Sequence, residues 1–577
     1  MSPYFFQKNT DPLIALWFAT AAVFYFGLEL IGLDTSVFGY VSIIAMAIFS
    51  LKGLWIRQAQ DEIAHASLDW IPEKQLHKIA LRHPADLFMG LGFEWSPDIA
   101  DIARRVPSSA LATLCKASNW IQFLGKPVPT FLEKEDLTTH ILLLGTTGSG
   151  KTRFLELILR QLALEIDRAF VILDPKGDKE LVKLLRTLEP QRFILFDRKG
   201  STNIDLDLFG DTLDPATIAD RLVDNASSTN DTAKAFAGFS WAAIYAAGSY
   251  LKILHQRATI SSLARVLQAR DHTDMLCTAL TNILSDVLGE SAFEYEFRDV
   301  AAKSVKQKLP RLIDCFNTQD ALGLCHKYEG VRAFIHEFTM DPEHFQKLTA
   351  SLGVELTKLT SGTLGNRLSM ESANARIVSL DEVIFKKKIL YVNTCSLDDP
   401  SVAHKLASLI LSSMASIASA SARNEKPPKV SVVIDEAAEA MCPAMIQLLN
   451  KGRSAGFGLI VATQTIDDFT AVTGSEAQTR QILGNVNTTI ALRILDSSSQ
   501  QYFCDGLPKV QMHALEKSMS TSSAVSKDLN KNAFAISQKT TLESPLDPGI
   551  LSSLPKLEGF ARQGGRLSKF KIPLIKK

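Results

Sequence analysis

The eight residues Gly145-Thr-Thr-Gly-Ser-Gly-Lys151-Thr152 constrain this chain more than any other stretch of it. They match the pattern G-x-x-x-x-G-K-[ST], follow the apolar run His140–Leu144, and open an amphipathic helix read from Thr152 to about Glu165. That context gives the pattern a physical meaning. Glycines let the backbone wrap close to phosphates, so that N–H groups converge at the amino end of a helix. Gly145, Thr146, Thr147, Gly148, Ser149 and Gly150 form the cradle, Lys151 reaches the β- and γ-phosphates, and the Thr152 hydroxyl holds Mg²⁺. ATP and Mg²⁺ are the expected ligands.

The surrounding pattern is that of a parallel sheet covered on both faces, in which short apolar runs alternate with amphipathic helices. Strands are expected at Ala169–Leu173, Phe193–Phe196, Ile389–Asn393, Val430–Ile434, Gly458–Ala462 and Thr489–Leu492, with a long helix at Ser401–Ala422. Between about 211 and 365 the strand signal fades. Ala233–His255, Ser261–Ala269, Leu276–Val287 and Ala292–Leu309 all read as helices. The economical reading is an α/β P-loop NTPase core in two parts, residues 121–210 and 366–577, interrupted by an all-α insert at 211–365. There is no internal repeat, and the serine-rich stretch Ser518–Ser526 reads as a mobile loop.

Further chemistry falls at strand ends, where ligands of open α/β sheets gather. Val432-Val-Ile-Asp435-Glu436 delivers two carboxylates: Asp435 to hold Mg²⁺ through water, Glu436 to polarise an attacking water. Gly458–Gln464 is a strand ending in an amide that can touch the γ-phosphate or the lytic water. Arg453, between those two strands, reads either as an arginine finger completing a neighbour's site or as a solvated cation at a helix end, with Arg480 and Arg493 as rivals. Asp174-Pro-Lys176-Gly-Asp178 either contacts nucleotide or couples to DNA, or is an ordinary β–α turn. Basic clusters at Lys303, Lys306, Lys308 and Arg311, at Lys386–Lys388, and at Lys569, Lys571, Lys576 and Lys577 are candidate DNA contacts, and equally solvated faces.

The amino terminus has a different character. Pro12–Leu28 and Ser36–Leu51 are uncharged runs of 17 and 16 residues. Each spans about 25 Å as helix, against about 30 Å of hydrocarbon, and flanking apolar residues extend both. No basic region and cleavage site frame the first run as a signal peptide. We read residues 1–57 as a two-helix transmembrane hairpin and 58–120 as a membrane-proximal connector of amphipathic helices and turns. The joining loop carries Glu29 and Asp34, while Lys8, Lys52 and Arg57 lie outside it, so both ends and the bulk of the chain face the cytoplasm. Lys+Arg and Asp+Glu balance at 62 each over 577 residues, which argues against an overall nucleic-acid-coated surface but leaves room for a local basic channel. Seven scattered cysteines without a CxxC pair fit reduced thiols.

Taken together, His140–Thr152, Leu173–Asp178, Val433-Ile-Asp-Glu-Ala437 and Lys451-Gly-Arg-Ser-Ala-Gly-Phe-Gly-Leu-Ile-Val-Ala-Thr-Gln464 resemble the type IV coupling proteins of the TraD/TraG kind, a branch of the FtsK/HerA-like (RecA/FtsK-like) motor ATPases. The ending Leu551–Phe560, Arg562–Arg566 and Ile572-Pro573 resembles the TraD-type carboxyl terminus of integrating conjugative elements. The resemblance implies a homohexamer at the bacterial inner membrane. It would receive a relaxase–DNA complex and pass single-stranded DNA to a type IV secretion channel at the expense of ATP. It also implies that the helical insert helps to select substrate. By the same pattern Lys151, Thr152, Asp435, Glu436, Gln464 and Arg453 take the roles argued above. No long acidic tail follows Lys577, so relaxosome docking is expected elsewhere. The alternatives are an FtsK/HerA-like translocase for segregation or repair, and a nucleotide-gated docking receptor that pumps nothing. An ABC-type ATPase is disfavoured because Ser361-Gly-Thr-Leu-Gly365 is a poor signature segment.

Overall fold

The computed structural model describes residues 70–104, 124–210, 214–223, 231–269, 271–300, 304–328, 330–372, 374–520 and 533–576. The two apolar runs at 12–28 and 36–51 lie outside these residues, as do Lys303 and Lys577. The chain forms two compact units. One contains the described residues up to Leu164, Ala462–Ala471, and those from Val486 onward; the other contains Glu165–Val461 and Val472–Asn485.

In the first unit, Ile141–Leu144 is buried at every position and pairs in parallel with Thr488–Ala491. From there the order runs outward through Glu558–Gln563, Arg566–Lys571, Asp86–Glu94 and Val128–Glu133, each pairing antiparallel. The helix Lys151–Leu162 buries Phe154, Leu155, Ile158 and Leu162. Its polar contacts fix it in place. Buried Gln161 donates to Phe88 O and accepts from Phe88 N–H, both at 2.8 Å, and Arg160 pairs with Glu73 at 2.6 Å. Two backbone groups in mid-sheet are thereby satisfied by one amide, a contact with large consequences in a buried setting.

Asp86–Glu94 corrects the connector reading, since this segment is a sheet strand. Its glycines look like turn signals but serve close approach. A Cβ on Gly92 would stand 1.8 Å from Lys569 O, and Gly90, at φ +147 beside a bulge, would meet Lys571 O at 2.0 Å. Two smaller pairings complete the unit: Trp70–Pro72 with Leu574–Lys576 in parallel, and the hairpin Val510–Ser520 with Ala533–Glu543. Ser518–Ser520, read as loop, belong to that hairpin, and 521–532 lie outside the described residues.

The second unit is built on five parallel strands in the order Phe457–Thr463 (its part up to Val461), Lys429–Ile434, Arg168–Asp174, Ile389–Asn393 and Phe193–Asp197. Near-continuous apolar runs such as Ala-Phe-Val-Ile-Leu can only be central strands with both faces covered. Asp178 caps Lys179–Leu188 by accepting from Glu180 and Leu181 N–H. Asp399 caps Pro400–Ser421 in the same way, and Pro400 sits where its missing N–H costs nothing. Among the described residues this is the one helix long and apolar enough to cross a membrane. It is a core helix, 67% buried over its apolar window.

Among the described residues, the elements from Pro215 to Ser369 are all helices, with Leu280, Ile283, Leu284, Leu312, Phe316 and Val331 in one cluster. The single helix expected over 292–309 is instead Glu290–Phe297, a 3₁₀ turn at Arg298–Val300, and Val305–Ala321. Ser304 is extended ahead of the last of these (φ −62°, ψ 154°), which starts a new helix there. The base of the insert is a parallel pair, Ile204–Asp207 with Arg376–Ser379. Its acidic side chains Asp205 and Asp207 are buried against Arg367 and Arg257. The sequences Ile-Asp-Leu-Asp and Arg-Ile-Val-Ser carry too few apolar residues to announce strands.

The basic clusters divide. Lys569 corrects the DNA-contact reading, being wholly buried in an ion pair with Glu558, and Lys571 is also buried. Lys386 pairs with Glu382, Lys388 donates to Gln191 O, and Arg311 contacts Glu296. All six cysteines among the described residues are free.

Candidate functional site

The phosphate loop is set into the first unit from three sides. Gly145 N–H donates to Thr463 O at 3.3 Å, and Thr146 N–H to Arg493 O at 2.9 Å. Leu557 N–H donates to Ser149 O at 2.9 Å. Within the loop, Ser149 N–H donates to Thr146 O at 3.1 Å, while Gly148 and Gly150 take φ of +76° and +119°, conformations that favour glycine. At Gly148 an added Cβ would meet nothing within 4 Å, so the turn faces open space. At Gly145 it would strike Ser149 Oγ at 2.6 Å.

Lys151 is buried at the first position of the helix, and its Nζ donates to Gly145 O at 2.8 Å. The ammonium therefore spans the loop it belongs to. Ser149 Oγ is buried with no hydrogen-bond partner among the described residues. Thr147 Oγ1 donates to Gln464 Oε1 at 3.2 Å, so the strand-end amide picked out in the sequence does stand on the loop. These features fit a phosphate ligand: a cradle open on one side, a buried ammonium, a polar hydroxyl left over, and Thr152 half-exposed at the helix start. No cluster of three His, Cys, Asp or Glu occurs among the described residues. Mg²⁺ held by a hydroxyl, water and phosphate oxygens needs none.

The acidic pair stands in the second unit. Asp435 N–H donates to Leu173 O at 3.0 Å, which fixes the end of its strand against Arg168–Asp174. Glu436 takes φ +47° and is buried, and its carboxylate pairs with the Lys176 ammonium. Burial alone lowers the Lys176 pKa. The hydrogen bond that Lys176 donates to Glu436 and the charges of Glu436, Asp435 and Asp174 outweigh that and hold it above its ordinary value, so the cation persists at neutral pH.

Asp174, missed as an organising residue by sequence reasoning, ties this corner together. Its carboxylate accepts from Lys176 N–H at 2.8 Å, from Asp178 N–H at 2.7 Å, and from the buried Tyr391 hydroxyl. Burial and then the neighbouring Asp174 charge push the Tyr391 pKa far up, so the phenol stays a donor. Asp174→Ala should cost about 3 kcal/mol, because one buried hydroxyl and two amides lose their acceptor. Thermal unfolding measures it, and a loss below about 1 kcal/mol would leave this turn to other contacts.

Arg453 lies in the 3₁₀ turn Gly452–Ala455, exposed and with no ion-pair partner among the described residues. Arg480 pairs with Glu476 on its own helix at 3.1 Å. Arg493 is half-buried, and its carbonyl already holds Thr146.

A family model described as the TraM recognition site of TraD and TraG matches residues 429–555. A second, described as the central domain of the helicase HerA, matches residues 114–312. No curated protein matches the chain. Among solved structures, the bacterial conjugative coupling protein TrwB in its unbound form is 14% identical, covering 78% of this chain and 87% of its own, with a TM-score of 0.47. The same protein with a non-hydrolysable ATP analogue is 15% identical over 77% and 87%, with a TM-score of 0.49. VirB4 of Thermoanaerobacter pseudethanolicus is 12% identical over 77% and 93%, with a TM-score of 0.37. A phosphate loop of this geometry, together with two domain matches that each cover less than half of the chain, makes the chain similar to the type IV coupling proteins and the HerA-like ATPases.

Proposed function

We propose that the chain hydrolyses ATP to drive single-stranded DNA, delivered by a relaxase, towards a type IV secretion channel. In this reading it acts as a homohexamer anchored in the bacterial inner membrane by residues 1–57. The observation that carries the proposal is the loop itself, in which Lys151 spans the cradle and Gln464 stands on Thr147. The match of residues 429–555 to a domain named for TraM recognition in TraD and TraG supports the relaxosome as partner.

Each residue then has a chemical task. Backbone N–H groups of Gly145–Thr152 and the Lys151 ammonium bind the β- and γ-phosphates. Mg²⁺ would neutralise charge on the phosphate oxygens, and the residues that would hold it are Thr152, through its hydroxyl, and Asp435, through water as the sequence reading has it. Glu436 accepts the proton of the attacking water at its carboxylate. Gln464 orients that water and carries the state of the γ-phosphate to Thr147. Arg453 acts in trans on a neighbour's nucleotide, which its exposure permits. Arg453→Ala subunits mixed with Lys151→Ala subunits should then recover part of the turnover that each loses alone. Mixtures no better than the sum of the two would place the arginine in cis.

Full-length protein in detergent, assayed for phosphate release with and without single-stranded DNA and weighed in solution, tests the whole proposal. DNA-stimulated turnover by a hexamer is expected. Turnover indifferent to DNA would leave a docking receptor. The match to the HerA central domain favours a second reading, a translocase on duplex DNA, which preferential stimulation by duplex would establish.

A further inference from the structure

The last turn of the phosphate loop is held by a residue that the nucleotide chemistry above does not use. Leu557 donates its N–H to Ser149 O at 2.9 Å and accepts from Ile572 N–H at 2.7 Å. Its φ of +64° is one that a leucine keeps only where its surroundings impose it. Its side chain stops on the loop, since a Cβ on Gly150 would stand 2.9 Å from Leu557 Cδ2. The next residue, Glu558, opens a strand and is ion-paired with Lys569, both side chains wholly buried and one Glu558 oxygen without a partner. A buried ion pair adds little net stability over an apolar pair of the same volume, yet breaking it is costly, so it fixes geometry. A second contact lies alongside, with the Phe570 ring 5.9 Å from that of Phe154, on the helix that Lys151 begins.

We infer that Leu557 is a positioning residue for nucleotide binding. Its N–H holds the Ser149 carbonyl and its side chain covers Gly150, which sets the loop in the shape that accepts phosphates. The Glu558–Lys569 pair fixes where Leu557 sits. The inference rests on the nucleotide-binding reading and adds to it a determinant contributed by the carboxyl-terminal strands.

Leu557→Gly separates positioning from folding, because glycine takes positive φ without strain while the side chain and the rigidity are lost. The expected result is a KM for ATP raised about tenfold, with kcat and the unfolding midpoint little changed, the signature of lost ground-state binding. An unchanged KM, or a loss confined to kcat and the midpoint, overturns the inference. Should Leu557→Gly fail to fold, hydrogen exchange of the wild-type chain decides. A saturating non-hydrolysable ATP analogue with Mg²⁺ should slow exchange in peptides covering residues 554–573, because binding and bracing are reciprocally coupled. No slowing while the analogue is bound overturns the inference alone. Failure of the wild-type chain to bind the analogue at all overturns both it and the nucleotide reading.

Discussion

If the chain hydrolyses ATP as proposed, Lys151→Ala should lower turnover by about 10²- to 10³-fold or more, because the ammonium would be the charge closest to where negative charge develops on the transferring phosphoryl group. The fold should survive the change. In the structure the Lys151 ammonium donates a loop-spanning hydrogen bond to Gly145 O at 2.8 Å. A bond of that kind contributes about 1–2 kcal/mol net, which leaves a well-folded protein with a slightly lower unfolding midpoint. Phosphate release at saturating ATP, read beside thermal unfolding, separates the two effects. A Lys151→Ala chain that keeps its midpoint and still turns over at a tenth of the wild-type rate would remove the loop from catalysis. On the proposed reading of residues 1–57 as a membrane anchor and of the chain as a DNA motor, the loss of turnover should be accompanied by loss of DNA transfer while membrane insertion persists.

How much of this was legible in the sequence follows from where each signal lives. Ile141–Leu144, Arg168–Asp174 and Lys429–Ile434 are buried on both faces, so their composition had to be apolar and their ends had to carry the polar residues that remain. The loop and Gln464 were readable for that reason. Asp86–Glu94 was not, because the glycines that let its backbone close on Lys569 and Lys571 look the same as turn glycines until the partner strand is known. Ile204–Asp207 escaped because its buried aspartates are paired with Arg257 and Arg367, which lie distant in sequence. Lys569 misled for the opposite reason: a lysine within a basic run reads as surface, and only the position of Glu558 across the strand pair makes it core. Leu557 has no local signature at all. Its backbone conformation and its bond to Ser149 are products of tertiary structure.

Glu436→Gln is the complementary test, since it should leave nucleotide binding within a few-fold while turnover falls about 10²- to 10⁴-fold, the range of a lost general base. The residue is held firmly by the backbone. It follows directly on a strand whose end is pinned by the Asp435–Leu173 bond, and it takes a left-handed φ of +47° that a non-glycine side chain adopts at some cost. The substitution is nearly isosteric and keeps a hydrogen-bonding side chain, but a neutral amide accepts no proton from water. It also removes the ion pair to Lys176, and that second change must be separated from the first. The Lys176 side chain is 51% exposed, so the pair contributes little to stability, and Lys176→Met deletes the same ion pair while keeping the carboxylate. If Glu436 is the base, Lys176→Met retains most of the turnover that Glu436→Gln loses. Equal losses in the two variants would show that the ion pair, and not proton transfer, is what the site requires. Unchanged turnover in Glu436→Gln would take Glu436 out of the reaction altogether.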